Sequence, residues 1–353
     1  MGTKLPESVK QFILNIITNH LYNTPYYMNR LDESEKKNLL RSLERVRDIE
    51  GFVNTIFDKE NYKLILDINN LRDPTFVIEY LIPINWRDTL ETAYSSGTTG
   101  PRKYGFMSMK YIDMASYDIV LFLRKYLGIE RITGYLYLGP TGEYDRWQRR
   151  IAEGLGAKYI FPQIAVELDL ISKPEVEKGK FSSELSAAYF KYLIGRINFY
   201  FETFGKYIDM FRGVLQIIPF IINSVRNSNL KYMIVSGLDT SPDKIEEAKE
   251  QLKGVEIIPF FGYFLVGDVP GIYKRGKTLY YPKLPYEILI PVKIKKEKIE
   301  VAEEGEEGYL AFIIIRPEIM AFYIEKDIAI RERGLDVDWP IAFSNPRREV
   351  KPS

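Results

Sequence analysis

Apolar residues recur at helical spacing from the start of the chain. Ile13, Ile16 and Ile17 share one face of a segment that reads as a helix from Glu7 to Tyr22. A second helix is predicted to begin at Asp32, where Glu35 three residues on gives a capping-box pattern. Leu39, Leu40, Leu43 and Val46 form its apolar stripe. A mixed region runs to Thr92. Tyr94 to Gly105 is dense in Gly, Ser and Thr, and a helix is predicted from Lys110 to Tyr126. The pattern then alternates: strand at Gly134–Leu138, helix at Tyr144–Leu155, strand at Ala157–Phe161, and long helical stretches between Ser183 and Val225. Tyr232–Val235 reads as a strand. Ser241-Pro242-Asp243 starts the next helix with Pro at its first position, and Val255–Ile258 is the following strand. Such alternation implies parallel pairing. From Thr278 the character changes, with strands predicted at Glu287–Ile299, Tyr309–Ile315 and Ala321–Ile330.

Composition narrows the chemistry. With 353 residues, 46% of them hydrophobic, the chain can bury a substantial core. Lys and Arg total 49 against 48 Asp and Glu, a balance that gives no reason to expect nucleic acid as a partner. The longest apolar stretch, Val214 to Ile222, contains Pro219 and falls short of the about 20 residues a membrane span needs. Met1 to Ser8 lacks the features of a secretory signal, so a cytoplasmic location is expected. There is no Cys, which removes disulfides and thiol catalysis; with many Ile, Tyr, Lys and Glu it hints at a thermophilic source. The single His, His20, lies on the apolar face of the first helix and reads as a packing residue. A His-rich zinc site or a Ser–His–Asp triad elsewhere is therefore out of reach.

The segment Tyr94-Ser95-Ser96-Gly97-Thr98-Thr99-Gly100-Pro101-Arg102-Lys103 carries the strongest chemical signal. Gly97 and Gly100 allow several backbone amides to turn toward one centre. Ser95, Ser96, Thr98 and Thr99 add donors for phosphate oxygens, and Arg102 and Lys103 supply charge. The bland alternative is a solvated turn. The spacing does not fit a Walker loop.

This segment resembles the signature of the adenylate-forming superfamily, which includes acyl-CoA synthetases and peptide-synthetase adenylation domains. Ser95 to Gly100 match throughout and Lys103 matches the final Lys, with Pro101 one place early and Arg102 in the usual Pro position. Further segments are similar in the same order. Gly139-Pro140-Thr141-Gly142 and Gly154-Leu155-Gly156-Ala157 resemble the phenylacetate-CoA ligase and acyl-protein synthetase branch. Ile234 to Asp239, with Gly237, sits where the family's backbone lies against adenine. Phe260 to Leu265, with Gly262, sits at the Tyr-Gly-any-Thr-Glu motif. Glu304 to Leu310 resembles a Gly-Glu strand, and Phe322 to Asp327 aligns with the ribose-binding element. The resemblance implies the N-terminal core of such an enzyme: stacked mixed and parallel sheets flanked by helices, with a β-rich later subdomain. The organisation expected is a helical region at 1–70, a nucleotide- and acyl-binding α/β core at 71–275, a β-rich subdomain at 276–335 and a tail at 336–353.

The resemblance also implies function. ATP would activate a carboxylic acid as an acyl-adenylate, passed to CoA or a carrier protein. Lys103 and Thr99 would act catalytically, and Ser95 to Gly100, Arg102, Lys103, Gly237, Gly262 and Asp327 would bind the nucleotide. Magnesium would accompany the phosphates. The family's Thr and magnesium-holding Glu are replaced by Phe264 and Leu265, leaving Asp268 either as a substitute ligand or as part of a turn. Asp327 is either the ribose carboxylate or a strand-end surface residue. Only 26 residues follow Asp327, against the about 40 an independent domain needs, so a mobile C-terminal domain is not expected and a partner protein would supply its cation. The rival expectation is a nucleotide- or acyl-binding subunit without complete catalysis.

Overall fold

Helices α1 (Glu7–Asn23), α2 (Glu33–Glu44) and α3 (Ile49–Ile56) pack as a group on strands from the other end of the chain. The α2 start follows its sequence: Asp32 Oδ1 accepts from the Glu35 N–H at 2.8 Å, and the Glu35 carboxylate accepts from the Asp32 N–H at 2.9 Å. Between α1 and α2 the Tyr27 hydroxyl donates to the Met320 carbonyl at 2.5 Å, and past α3 the Leu66 N–H donates to the Phe322 carbonyl at 2.7 Å, tying the N-terminal layer to the sheet beneath it. The computed structural model describes residues 3–95, 101–140, 142–167, 170, 180, 183–237, 240–296 and 298–348. No helix among them is long and apolar enough to cross a membrane.

The sheet has two halves. In the parallel half, β3 (Gly134–Gly139), β4 (Tyr159–Ile160), β6 (Met210–Gly213), β7 (Tyr232–Val235) and β8 (Glu256–Tyr263) lie in the order β4-β3-β6-β7-β8, and the short β5 (Ile164–Ala165) also pairs with β3. Alternation along β3 sends Leu136 and Leu138 to one core and Tyr135 and Tyr137 to another. Helices α6 (Glu184–Phe204), α7 (Ile218–Arg226) and α8 (Pro242–Gln251) cover the first face. Helices α4 (Met109–Leu127) and α5 (Glu143–Gly154) cover the second. Burial on both faces explains why these strands read as near-continuous apolar runs.

The antiparallel half contains β9 (Gly267–Lys274), β10 (Lys277–Tyr280), β11 (Glu287–Lys295), β12 (Lys298–Val301), β13 (Glu307–Arg316), β14 (Ile319–Arg333) and β15 (Ile341–Arg348), continuing the order as β8-β9-β10-β15-β14-β13-β11-β12. Strand β8 belongs to both halves. Its residues Glu256–Pro259 pair parallel with β7, and Phe260–Tyr263 pair antiparallel with β9. A separate hairpin joins β1 (Leu90–Tyr94) to β2 (Tyr104–Ser108).

The α/β class and the β-rich later third match the sequence pattern. Four elements differ. Gly267–Lys274 is a strand, so Asp268 lies in regular structure and not in a turn. Met210–Gly213 is a buried strand where a helical stretch was expected. Glu287–Ile299 is a hairpin, broken at Lys296 with φ 54°, instead of one strand. Ile341–Arg348, expected within a tail, is a strand whose first four residues are buried between β14 and β10.

Candidate functional site

The glycine-, serine- and threonine-rich segment connects β1 to β2. At its neck the Ser95 N–H donates to the Lys103 carbonyl at 2.9 Å, and the Lys103 N–H donates to Ser95 Oγ at 2.8 Å. Ser95 therefore spends its hydroxyl oxygen in closing the loop. The Arg102 guanidinium lies over the Tyr94 ring, 4.8 Å from its centre. Ser96, Gly97, Thr98, Thr99 and Gly100 lie outside the described residues.

Strand β14 brings a carboxylate to this neck. The Lys103 ammonium is ion-paired with Glu325 Oε1, and both groups are buried. The Tyr263 hydroxyl, at the end of β8, donates to the same oxygen at 2.5 Å. Arg348 of β15 reaches Glu325 Oε2 at 3.4 Å and, through Nε, Asp327 Oδ1 at 3.1 Å. Burial opposes ionisation of Glu325. The Lys103 charge and the hydrogen bonds from Lys103, Tyr263 and the Lys326 N–H outweigh it and hold the carboxyl below its ordinary range. The fold thus gathers Lys103, Glu325, Asp327 and the β8 terminus in one place. Phe264 and Leu265 are buried beside it. A Cβ on Gly105, at the start of β2, would lie 2.6 Å from Leu265 Cδ2, so the hairpin packs directly on this corner.

A second buried constellation lies at the carboxyl ends of the parallel strands. Arg212 Nη1 donates to Asp268 Oδ2 at 2.6 Å and Nη2 to Asp268 Oδ1 at 2.7 Å. Arg212 also donates to Ser236 Oγ at 2.9 Å, to Gln148 Oε1 at 3.3 Å and to the Tyr144 hydroxyl. This links β6, β7, β9 and α5. Gly237 follows β7 in the left-handed region at φ 84°, and a Cβ there would meet nothing within 4 Å. Gly262 sits opposite Asp268 in the β8–β9 register, where a Cβ would lie 3.7 Å from Asp268 Oδ1. Crevices at the carboxyl ends of parallel strands are the usual ligand sites of open α/β sheets.

Asp268 fits a magnesium ligand poorly. Both its oxygens accept from a buried guanidinium that a metal ion would have to displace, and among the described residues no group of three His, Asp or Glu side chains is arranged to hold a metal. Glu143, in the first turn of α5, has an Oε2 without a hydrogen-bond partner among the described residues. Burial, and then the charges of Glu91 and Asp268, raise its carboxyl to about 7.

Sequence reasoning missed Arg212, Tyr144, Ser236, Glu143 and Arg348. The available signal for Arg212 was a lone charge inside an apolar run. Glu325 and Tyr263 entered the sequence reading only as members of the aligned segments Phe322 to Asp327 and Phe260 to Leu265.

No protein-family model matches the chain, and no curated protein matches it by sequence. Solved structures do. It resembles 2-hydroxyisobutyryl-CoA ligase in an open conformation, in complex with 2-HIB-AMP and CoA, at TM-score 0.63 and 12% identity, over 96% of this chain and 73% of that one. It resembles the same ligase in its thioesterification state at TM-score 0.65 and 13% identity, over 96% of this chain and 66% of that one. The chain thus spans about two thirds to three quarters of the length of these neighbours, and what it shares with these CoA ligases is their fold.

Proposed function

We propose that the chain binds ATP and activates a carboxylic acid as an acyl-adenylate, with CoA or a carrier protein as the later acceptor. The observation that carries this reading is the convergence of the β1–β2 loop neck, the end of β8 and the Glu325–Asp327 segment of β14 at one corner of the fold. In the reaction, a carboxylate oxygen of the acid bonds to the α-phosphorus while the bond to the bridging oxygen breaks. The electron pair leaves with pyrophosphate. Positioning and charge neutralisation supply the rate in such in-line transfer. The loop from Ser96 to Gly100, with Thr99, would cradle the outer phosphates, and Lys103 would take up their charge by exchanging Glu325 for phosphate oxygen. Asp327 would accept from the ribose hydroxyls, and the Gly237 backbone, lacking a side chain in open space, would lie along the base. Among the described residues a protein-held magnesium ion lacks a donor set at Asp268, whose oxygens accept from Arg212. A second polypeptide supplying a cation remains part of the proposal.

A pyrophosphate-exchange assay over a panel of carboxylates tests this. Acid-dependent incorporation of labelled pyrophosphate into ATP is the expected result. The burial of Phe264 and Leu265 and the engagement of Lys103 by Glu325 favour a second reading, a nucleotide-binding subunit without turnover. Calorimetric ATP binding with no exchange for any acid would select it.

A further inference from the structure

Helix α6 carries two apolar faces, and the fold uses one. Phe190, Ile194, Ile197 and Phe201 face the core and α7, with the Phe190 and Phe220 rings 5.2 Å apart. On the opposite side, Leu185, Tyr192 and Phe199 recur every seven residues and are 61%, 57% and 52% exposed. Ala188, Gly195 and Glu202 follow each of them by three residues and are exposed as well. Seven residues are nearly two turns, so these six residues form one straight seam along the helix.

Gly195 gives an independent indication. Glycine inside a helix destabilises it relative to alanine. Here a Cβ would meet nothing within 4 Å, so no contact within the chain requires its absence. A missing side chain on an exposed helix face is explained when a second backbone or a large side chain comes against it.

We propose that this seam joins two copies of the chain through antiparallel pairing of their α6 helices, about a two-fold axis passing between Leu193 and Ile194. The seam complements itself in this register. Tyr192 of one copy lies over Gly195 of the other, Phe199 over Ala188, and Leu185 along the aliphatic stem of Glu202. Large residues meet small ones at the four central layers, and at the two ends Leu185 packs along the longer, charged Glu202. The flanking positions bring Lys191 to Asn198 and Tyr189 to Arg196, so each of these two cations faces an uncharged side chain. Parallel pairing would set Tyr192 against Tyr192 and leave gaps at Ala188 and Gly195. A self-complementary patch crossing a two-fold axis is the form that closed homodimers take.

Light scattering on the full chain at micromolar concentration reads the state directly. The expected mass is twice the 41.2 kDa of one chain. Gly195→Lys and Tyr192→Glu, both at exposed positions, should weaken association roughly tenfold or more while leaving the circular dichroism spectrum unchanged. The absence of native Cys permits a register test. In an Ala188→Cys, Phe199→Cys variant the two thiols lie about 16 Å apart along their own helix and cannot join within one chain. Oxidation should link two chains through Cys at 188 of one and 199 of the other, and neither single variant should link. A monomer at all micromolar concentrations, or cross-linking by either single variant, would overturn the proposal.

Discussion

Arg212 and Asp268 meet in a two-pronged ion pair that crosses from the parallel to the antiparallel half of the sheet, with contacts of 2.6 and 2.7 Å and both side chains almost fully buried. Buried pairs contribute little net stability against an apolar alternative, but breaking one by removing a partner leaves a stranded charge.

Asp268→Ala should therefore lower unfolding free energy by about 3–5 kcal/mol. Denaturant titration measures it. If the main duty of Asp268 were instead to ligate magnesium, the variant would keep its stability and lose only metal dependence.

Lys103→Ala should weaken ATP more than AMP, by roughly 1.5–3 kcal/mol, because one charge-assisted contact to the outer phosphates is lost. Glu325→Gln should act in the opposite direction. It releases the Lys103 ammonium from its buried partner and should tighten ATP relative to AMP. Calorimetry with both nucleotides distinguishes these outcomes; equal effects on ATP and AMP would place Lys103 away from the outer phosphates.

Asp327→Ala should lower affinity for ATP and AMP by similar factors, since both carry the ribose. Arg348 contacts both Asp327 and Glu325, so Arg348→Ala serves as a control. It should disturb the carboxylates while leaving the acceptors for ribose in place. Unchanged affinity in Asp327→Ala would return that residue to a purely structural role.

Stability should depend on pH through two buried groups of opposite sign. Burial raises the Glu287 carboxyl to about 8, against lowering by Tyr111 and Arg316. The single Tyr111 hydroxyl proton goes to the Val266 carbonyl at 2.8 Å, and a protonated Glu287 can donate to the Tyr111 oxygen 3.1 Å away. The folded chain keeps this proton from pH 4.5 to about 8 while the unfolded chain has released it, so stability falls as pH rises through that window. Burial lowers His20 from 6.5 to about 4, and the unfolded chain binds the extra proton first, so stability falls as pH drops through that range. Glu287→Gln should flatten the alkaline side of a melting-temperature profile, and His20→Gln the acid side.

Much of the scaffold was legible. Leu136 and Leu138 announce a buried strand, Asp32 and Glu35 announce a helix start, and His20 packs inside as its apolar neighbours suggested, with Nε2 3.0 Å from the Arg316 carbonyl. The misses have physical causes. Met210–Gly213 follows an aromatic-rich helix so closely that a four-residue strand cannot be separated from it by periodicity. Residues 341–348 look polar at Ser344, Asn345, Arg347 and Arg348, yet the strand is held by its neighbours on both edges. The Lys103–Glu325 pair spans 222 positions, a separation that no local pattern encodes. The site was legible as a loop with a charge, and illegible as the carboxylate that holds the charge.

The placement of β15 bears on how the protein is made. Among the described residues, strands β11 to β14 reach the rest of the sheet ladder only through β15, which pairs with β14 on one side and β10 on the other. A nascent chain that has already formed β10 and β14 therefore presents two unpaired strand edges to the cell until Ile341–Arg348 emerges from the ribosome. Open edges of this kind invite pairing with other chains. Until β15 is in place, the facing edges of β10 and β14 are open to such mispairing.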